Sequence, residues 1–178
     1  MREYLTEVLV LDKNEVNEAD LIVDLYTKEL GRIKAKVTSG QKITSKLSPH
    51  LEPLTFSLVR LTEKNGFTVV DALTQNRLIH LRHSPVIFAK ALKLLSAIQQ
   101  LIYPEEIDLK LWFWLKKSII KGEIFFSQFL KILGYDPKLA ECQKCRSKFV
   151  KCFLVEDQIF LCRQCSLKIP QNALLLDL

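Results

Sequence analysis

The chain has 178 residues, 48% apolar and 26% charged, with a net charge of +6. This is an ordinary globular composition with room for one or two small domains, which excludes disordered and fibrous classes. No run approaches the roughly 18–20 uncharged apolar residues of a membrane-spanning helix. The charge is unevenly spread. Residues 1–30 carry three basic and eight acidic side chains, residues 31–48 five basic and none acidic, and residues 138–168 seven basic and three acidic. Two concentrations of positive charge point to a surface that faces a polyanion, although a merely solvated basic face would have the same composition.

The first eighty residues read as strands. Tyr4 to Leu11 is a β-rich run closed by Asp12-Lys13-Asn14, and Leu21 to Thr27 alternates Leu21, Val23 and Leu25 along one face. Gly31 marks a tight turn into a third strand, Arg32 to Thr38. The fourth and fifth, Leu54 to Thr62 and Phe67 to Leu73, flank Asn65-Gly66, a type I′ hairpin signal. Five short antiparallel strands suit an OB-type barrel, a fold that binds oligonucleotides in some proteins and docks protein partners in others.

In the third strand Arg32, Lys34, Lys36 and Thr38 share one face, and Ile33, Ala35 and Val37 share the other. Period-2 alternation therefore buries the apolar set and spaces the cations about 6.6 Å apart on the exposed side. The loop Ser39-Gly40-Gln41-Lys42-Ile43-Thr44-Ser45-Lys46 adds hydroxyls and two lysines, the donors that phosphate oxygens accept from. An edge strand protected from aggregation by lysine is the alternative. Residues 31–48 contain no Phe, Trp or Tyr, so the expected mode holds phosphates and leaves bases free, which lowers repulsion between strands without blocking pairing.

Beyond residue 80 the period becomes helical. Ser84-Pro85 is an N-cap and first-turn proline, and Phe88, Ala91, Leu92, Leu95, Ile98 and Ile102 recur on one face until Pro104. A second helix spans Leu109 to Ile120, closed by Gly122. A third spans Ile124 to Leu133, with Gly134 as its C-cap. Trp112 and Trp114 fit a helical core better than a base-stacking platform.

Cys142/Cys145 and Cys162/Cys165 are two Cys-x-x-Cys pairs at the spacing of a zinc site. Each pair can aim two thiolates at one ion, and a hairpin of Phe149 to Leu154 and Gln158 to Leu161, turning at Glu156 and Asp157, would complete the tetrahedron. Paired disulfides and a redox-active dithiol are the competing readings. The N-terminal Met-Arg-Glu-Tyr-Leu-Thr-Glu has no apolar signal-peptide core, which favours a reducing cytosol and therefore metal. Cys152 is expected to be a packed thiol, and the tail Ala173 to Leu178 to pack on the helices. His50, His80 and His83 are expected on the surface. No P-loop, H-E-x-x-H or G-x-S-x-G motif occurs, and with no catalytic constellation the chain reads as a binding protein rather than an enzyme.

The expected architecture is thus α+β: a five-stranded OB-type barrel over residues 1–80, a helical bundle over 81–137, a four-cysteine zinc ribbon over 138–168 and a packed tail over 169–178. This order, with Glu18 to Thr27, Gly31-Arg32, Ser39 to Lys46, Leu51-Glu52-Pro53-Leu54 and Leu133-Gly134-Tyr135-Asp136-Pro137, resembles the bacterial recombination mediator family RecO. The resemblance implies a cytoplasmic, nucleoid-associated DNA-repair protein. Such a protein binds single- and double-stranded DNA, anneals complementary strands and assists RecA loading. Its implied partners are RecR and the C-terminal tail of single-stranded-DNA-binding protein. On this sequence the DNA-binding set falls on Arg32, Lys34, Lys36, Lys42 and Lys46, and structural Zn2+ falls on Cys142, Cys145, Cys162 and Cys165. Family members usually continue past the second cysteine pair with further helices, beyond where this sequence stops at Leu178, and often carry a basic residue where Gln41 stands. A protein-docking adaptor with little direct DNA function is the alternative, since the acidic first thirty residues could meet a basic partner. A zinc-ribbon enzyme of nucleic-acid metabolism is a third class.

Overall fold

The computed structural model describes residues 1–16, 18–42 and 45–178; Ile43 and Thr44 of the hydroxyl- and lysine-bearing loop lie outside the described residues. Five strands, β1 (Arg2–Glu15), β2 (Leu21–Thr27), β3 (Gly31–Val37), β4 (Phe56–Glu63) and β5 (Phe67–Asn76), form a barrel in the order β1-β2-β3-β5-β4, with β4 also paired to β1. This is the five-stranded Greek-key order of OB folds. The first strand serves two neighbours. Arg2 to Leu9 pair with β4 and Val8 to Glu15 with β2, and an irregularity between Val10 and Asp12 bends the strand from one to the other.

The apolar run Val8-Leu9-Val10-Leu11 is buried throughout because both faces of β1 are covered. Val8 and Val10 point into the barrel with Leu21, Val23, Leu25, Ile33, Ala35, Val37, Val59, Leu61 and Val69. Leu9 and Leu11 point outward with Tyr26 and Phe56, under the helices. The expected alternation in the second and third strands is therefore what fills the barrel. Leu51, fully buried at the end of the 3-10 turn Ser48–His50, closes the interior from below. His50 is half-buried, not a surface residue: its Nδ1 accepts from the Thr74 N–H at 3.1 Å, stitching this turn to β5. His80 and His83 are exposed as expected.

The hairpin between β4 and β5 forms, but without the expected two-residue type I′ turn. Glu63 faces Phe67 across a three-residue loop, and only Gly66 in that loop has positive φ, at +110°. A type I′ turn needs positive φ at both central residues, and Asn65 does not adopt it.

Helices α1 (Pro85–Leu101), α2 (Leu109–Lys121) and α3 (Phe126–Ile132) follow. Ser84 and Pro85 start α1 as expected; Asp108 caps α2 through its carboxylate, which accepts from the Leu111 N–H at 2.9 Å. The third helix is shorter than its apolar pattern. Phe125 has extended backbone (φ −113°, ψ 104°) and becomes its N-cap, while Gly134 (φ +91°) follows its end. Trp112 of α2 is the largest fully buried side chain. Its ring lies 6.1 Å from both Tyr26 and Phe56, and its indole N–H has no partner among the described residues. Among the described residues no helix is long and apolar enough to cross a membrane.

A second, three-stranded sheet has the order β7-β6-β8, from β6 (Cys152–Leu154), β7 (Ile159–Leu161) and β8 (Leu175–Asp177). The tail is therefore a strand, antiparallel to β6. Leu176 lies inside the main core, with Leu174 and Leu178 against it. Phe153, Val155 and Phe160 of the ribbon join that same core, so the outer face of the barrel, the helices and the inner face of the ribbon share one apolar layer, distinct from the barrel interior.

The segment between α1 and α2 crosses the barrel at the start of β3. The Glu105 N–H donates to the Arg32 carbonyl at 2.8 Å, and Arg32 pairs with Pro104 in a parallel bridge. Gly31, with φ of +67°, lies against this crossing, where a Cβ would stand 2.3 Å from the Glu106 carbonyl oxygen. Gly31→Ala is therefore expected to cost about 2 kcal/mol or more, from strained φ and displaced backbone together. A chemical-denaturation midpoint equal to that of the parent chain would contradict this reading of the crossing.

Candidate nucleic-acid interface and metal centre

The five cations expected to form a basic surface, three on one face of β3 and two in the loop after it, separate into two groups. Lys34 and Lys36 are exposed on the outward side of β3, and Lys42 and Lys46 are exposed in the loop after it. Among the described residues, Lys34, Lys42 and Lys46 have no ion-pair partner. Lys36 pairs with Asp20 at 2.8 Å, and Asp20 also accepts from the Ser39 N–H at 2.9 Å, so the same carboxylate pins the start of the loop.

Arg32 points elsewhere. Its Nη2 lies 2.7 Å and its Nε 3.1 Å from the Asp24 carboxylate, a bidentate pair with side chains only 16% and 6% exposed. Nη1 donates to the Gln99 carbonyl and, at 3.3 Å, to the Ile102 carbonyl at the end of α1. Gln99 Nε2 donates to Asp24 at 3.2 Å. Its guanidinium is thus committed to joining barrel and helix, and the outward charge lies on the lysines. Period-2 alternation placed Arg32 on the correct face but could not show that a helix covers that end of the strand. The available signal was Asp24, an acid inside the apolar run Leu21 to Thr27, which needs a buried partner. Tyr26 beside it is held neutral. Burial, then the carboxylates of Asp108 and Glu106, push its phenol well above the usual range, and its hydroxyl faces the Asp108 carbonyl at 3.4 Å.

The absence of aromatics within residues 31–48 does not carry over to three dimensions. Phe67 of β5 pairs with Ala35 in a short parallel contact, and Tyr103, 74% exposed, immediately precedes the Pro104 that bridges Arg32. At one end of the barrel a polar cleft of about 540 Å3 is lined by residues including Lys13, Gln41, Lys42, Ser45, Ser48 and Arg77. Lys13 there donates to Ser48 Oγ at 2.8 Å.

The four cysteines converge. The sulfur atoms of Cys142, Cys145, Cys162 and Cys165 all lie within 4.8 Å of one another. Each pair sits on a tight turn. The Arg146 N–H donates to the Cys142 carbonyl at 2.8 Å with Arg146 at φ +62°, and the Ser166 N–H to the Cys162 carbonyl at 3.0 Å in the single-turn helix α4 (Arg163–Ser166). Cys145 and Cys162 sulfurs are 3.6 Å apart, close to the spacing of about 3.8 Å that a tetrahedral ion with metal–sulfur bonds of about 2.3 Å imposes. A disulfide would need about 2.05 Å, and all five cysteines are free. Burial opposes ionisation of Cys142, but backbone amides of Cys162, Cys145 and Lys144 outweigh it and bring the thiol down to about 6. The donor set therefore fits a metal ion. Cys152 stays outside the group; its Sγ faces the Leu161 carbonyl at 3.7 Å, and burial raises its pKa, as a packed thiol requires. The ribbon strands are shorter than expected, since pairing begins only at Cys152 and Ile159.

Comparison with known proteins agrees with this geometry. Residues 1–81 match the family model described as recombination protein O N terminal. The chain is 29% identical over 177 residues to the DNA repair protein RecO of Thermodesulfovibrio yellowstonii, covering 92% of this chain and 70% of that protein. It is 30% identical over 158 residues to the DNA repair protein RecO of Dehalococcoides mccartyi, covering 82% and 62%. With the RecO of Heliobacterium modesticaldum the identity is 31% over 154 residues, covering 82% and 56%. The chain thus spans between 56% and 70% of the length of these three relatives.

The different settings of Arg32 and Lys34 give a test. Arg32→Gln strands a buried carboxylate and is expected to destabilise the fold by about 3–5 kcal/mol, whereas Lys34→Gln should stay within about 0.5 kcal/mol. Denaturant melts that show equal losses would disprove the division between anchor and surface cation.

Proposed function

With residues 1–81 belonging to the RecO N-terminal domain family and the likeness to DNA repair proteins RecO continuing through most of the rest, we propose that this chain acts in DNA repair as a recombination mediator. It binds single- and double-stranded DNA, anneals complementary strands and, together with RecR, assists RecA loading. The observation that carries the reading is the row of outward lysines, Lys34, Lys36, Lys42 and Lys46, of which only Lys36 has an acidic partner among the described residues. Arg32, placed with them by the strand pattern, contributes by holding β3 in position rather than by reaching DNA.

The mechanism is charge neutralisation. Lysines that hold phosphates lower repulsion between two strands and leave pairing edges accessible. If the four lysines engage four phosphates, log K for a single strand falls with log salt at a slope of about −2.8, and converting Lys34, Lys42 and Lys46 to Glu reduces the magnitude by about 2 or more. Annealing of oligonucleotides coated with single-stranded-DNA-binding protein should lose its acceleration in the same variant. A salt-independent affinity would sink the electrostatic mechanism.

The proposed ion in the four-cysteine centre is Zn2+, in a structural role, because four thiolates leave no position open for water. Since Phe153 and Phe160 of the ribbon reach the main core, chelation should both unfold the ribbon and lower the melting temperature of the rest. An unchanged melt after complete metal removal would contradict this coupling.

For the C-terminal tail of single-stranded-DNA-binding protein, the surface we propose is a groove of about 300 Å3 on α2. There the exposed Phe113 and Ile120 lie among Lys116, Lys117 and Lys121. A second reading, a docking adaptor, is favoured by the outer face of β1, β4 and β5. Leu5 (67% exposed) and Leu73 (62%) lie there near Leu58, which pairs with Leu73. The lysine reversals separate the two: the mediator loses DNA binding and keeps its partners, and the adaptor loses neither.

A further inference from the structure

Strands β3 and β5 meet over only two residue pairs, Ala35 with Phe67 and Lys36 with Thr68. Towards the start of β3 they part, and the segment Pro104–Glu105 walls the gap. The result is a cavity of about 400 Å3 lined by Arg32, Ile33, Lys34, Glu63, Gly66, Phe67, Pro104 and Glu105. This lies within the size range of small-ligand sites.

Its chemistry is mixed in a particular way. Phe67 is half-buried, its ring held edge-on by Tyr4 at 6.2 Å between centroids, and Ile33 and Pro104 add apolar surface. The charges at the rim do not favour an anion. Arg32 is neutralised by Asp24, which leaves Lys34 against Glu63 and Glu105. Glu63 Oε2 accepts from the Tyr4 hydroxyl at 2.8 Å, so the carboxylate is fixed at the rim. A phosphate is therefore disfavoured inside, whereas a flat, neutral group with amino donors meets an aromatic ring, a proline and carboxylate acceptors. Lys34, exposed on the same strand, is placed to take the phosphate attached to such a group.

We infer that the cleft between β3, β5 and Pro104–Glu105 is a subsite for one unpaired nucleobase of single-stranded DNA, stacked against Phe67, with Lys34 on the adjoining phosphate. The inference rests on the DNA-binding reading of β3 and adds to it. Capturing a single base anchors the strand while its other bases stay free to pair. A duplex, whose bases are stacked and paired, does not use the site.

The test compares two single strands of equal length and charge, one carrying bases and one carrying abasic linkers throughout, together with a duplex. The full chain should bind the base-bearing strand roughly fivefold or more tightly, the order of one aromatic–base stack. Phe67→Leu keeps an apolar side chain beside Tyr4 and should abolish that preference. Phe67→Tyr should retain it, and neither variant should change duplex affinity or the salt slope. Equal binding of both strands by the parent chain, with the lysine-dependent salt slope intact, overturns the base subsite and leaves phosphate binding standing. No binding of any DNA would overturn both. If Phe67→Leu weakens duplex and single strand alike, Phe67 is a structural residue and the subsite is wrong. If it weakens RecR binding alone, the cleft takes a protein side chain instead.

Discussion

The pairing of Arg32 with Asp24 is the joint on which the molecule is assembled. Two strands of the barrel contribute the charges, and α1 contributes two carbonyls and the Gln99 amide. Neither charge could remain in so dry a place without the other. Leaving one alone would cost several kcal/mol, so the barrel's outer face and the end of α1 have to come together in one register. Once they do, the segment after α1 must cross β3, and that crossing explains the need for glycine at position 31. It also sets α2 over Tyr26 and Phe56, with Trp112 filling the space between them.

Much of this was visible in the sequence because alternation is a strong signal where one face is buried. Leu21, Val23, Leu25, Ile33, Ala35 and Val37 were placed inside by period alone. Helix α2 was placed to within a residue at each end; α1 starts at Pro85 as expected but ends at Leu101, three residues before Pro104, and Leu92 of its expected stripe is 43% exposed. Spacing brought the four cysteines together correctly, and the structure separates them from Cys152 as expected. What sequence could not supply was contact between distant segments. The burial of Arg32, the nearness of Phe67 to Lys34 and the pairing of the tail with β6 all depend on residues many positions away. The tail was hidden for a further reason: Ala173 to Leu178 is apolar except for Asp177, and so short an apolar run has no period to distinguish strand from packed coil. At Asn65-Gly66 the dipeptide located the hairpin but did not determine its loop length.

The ribbon is more than an attachment. Its inner residues Phe153 and Phe160 stand 4.9 Å apart in edge-on contact, and Tyr135 packs on Phe153 at 5.0 Å. The cysteine centre lies on the far side of the same short strands, among Leu154, Leu161 and Leu175. A three-residue strand cannot keep its register alone, so the cysteine centre at one face and the aromatic cluster at the other fix it from both sides.

Trp112 has a consequence of a different kind. Its indole N–H is buried, without an acceptor among the described residues, in a wall of aromatic and aliphatic side chains, where solvent dipoles cannot relax around the excited ring. Trp114, half-buried with its N–H on Gln128 at 3.2 Å, is in a wetter setting. The two tryptophans of the chain are thus a matched pair of optical probes. The bluer emission belongs to the seam between barrel and helices, so parting of that seam can be followed in the light of one residue while the barrel itself remains folded.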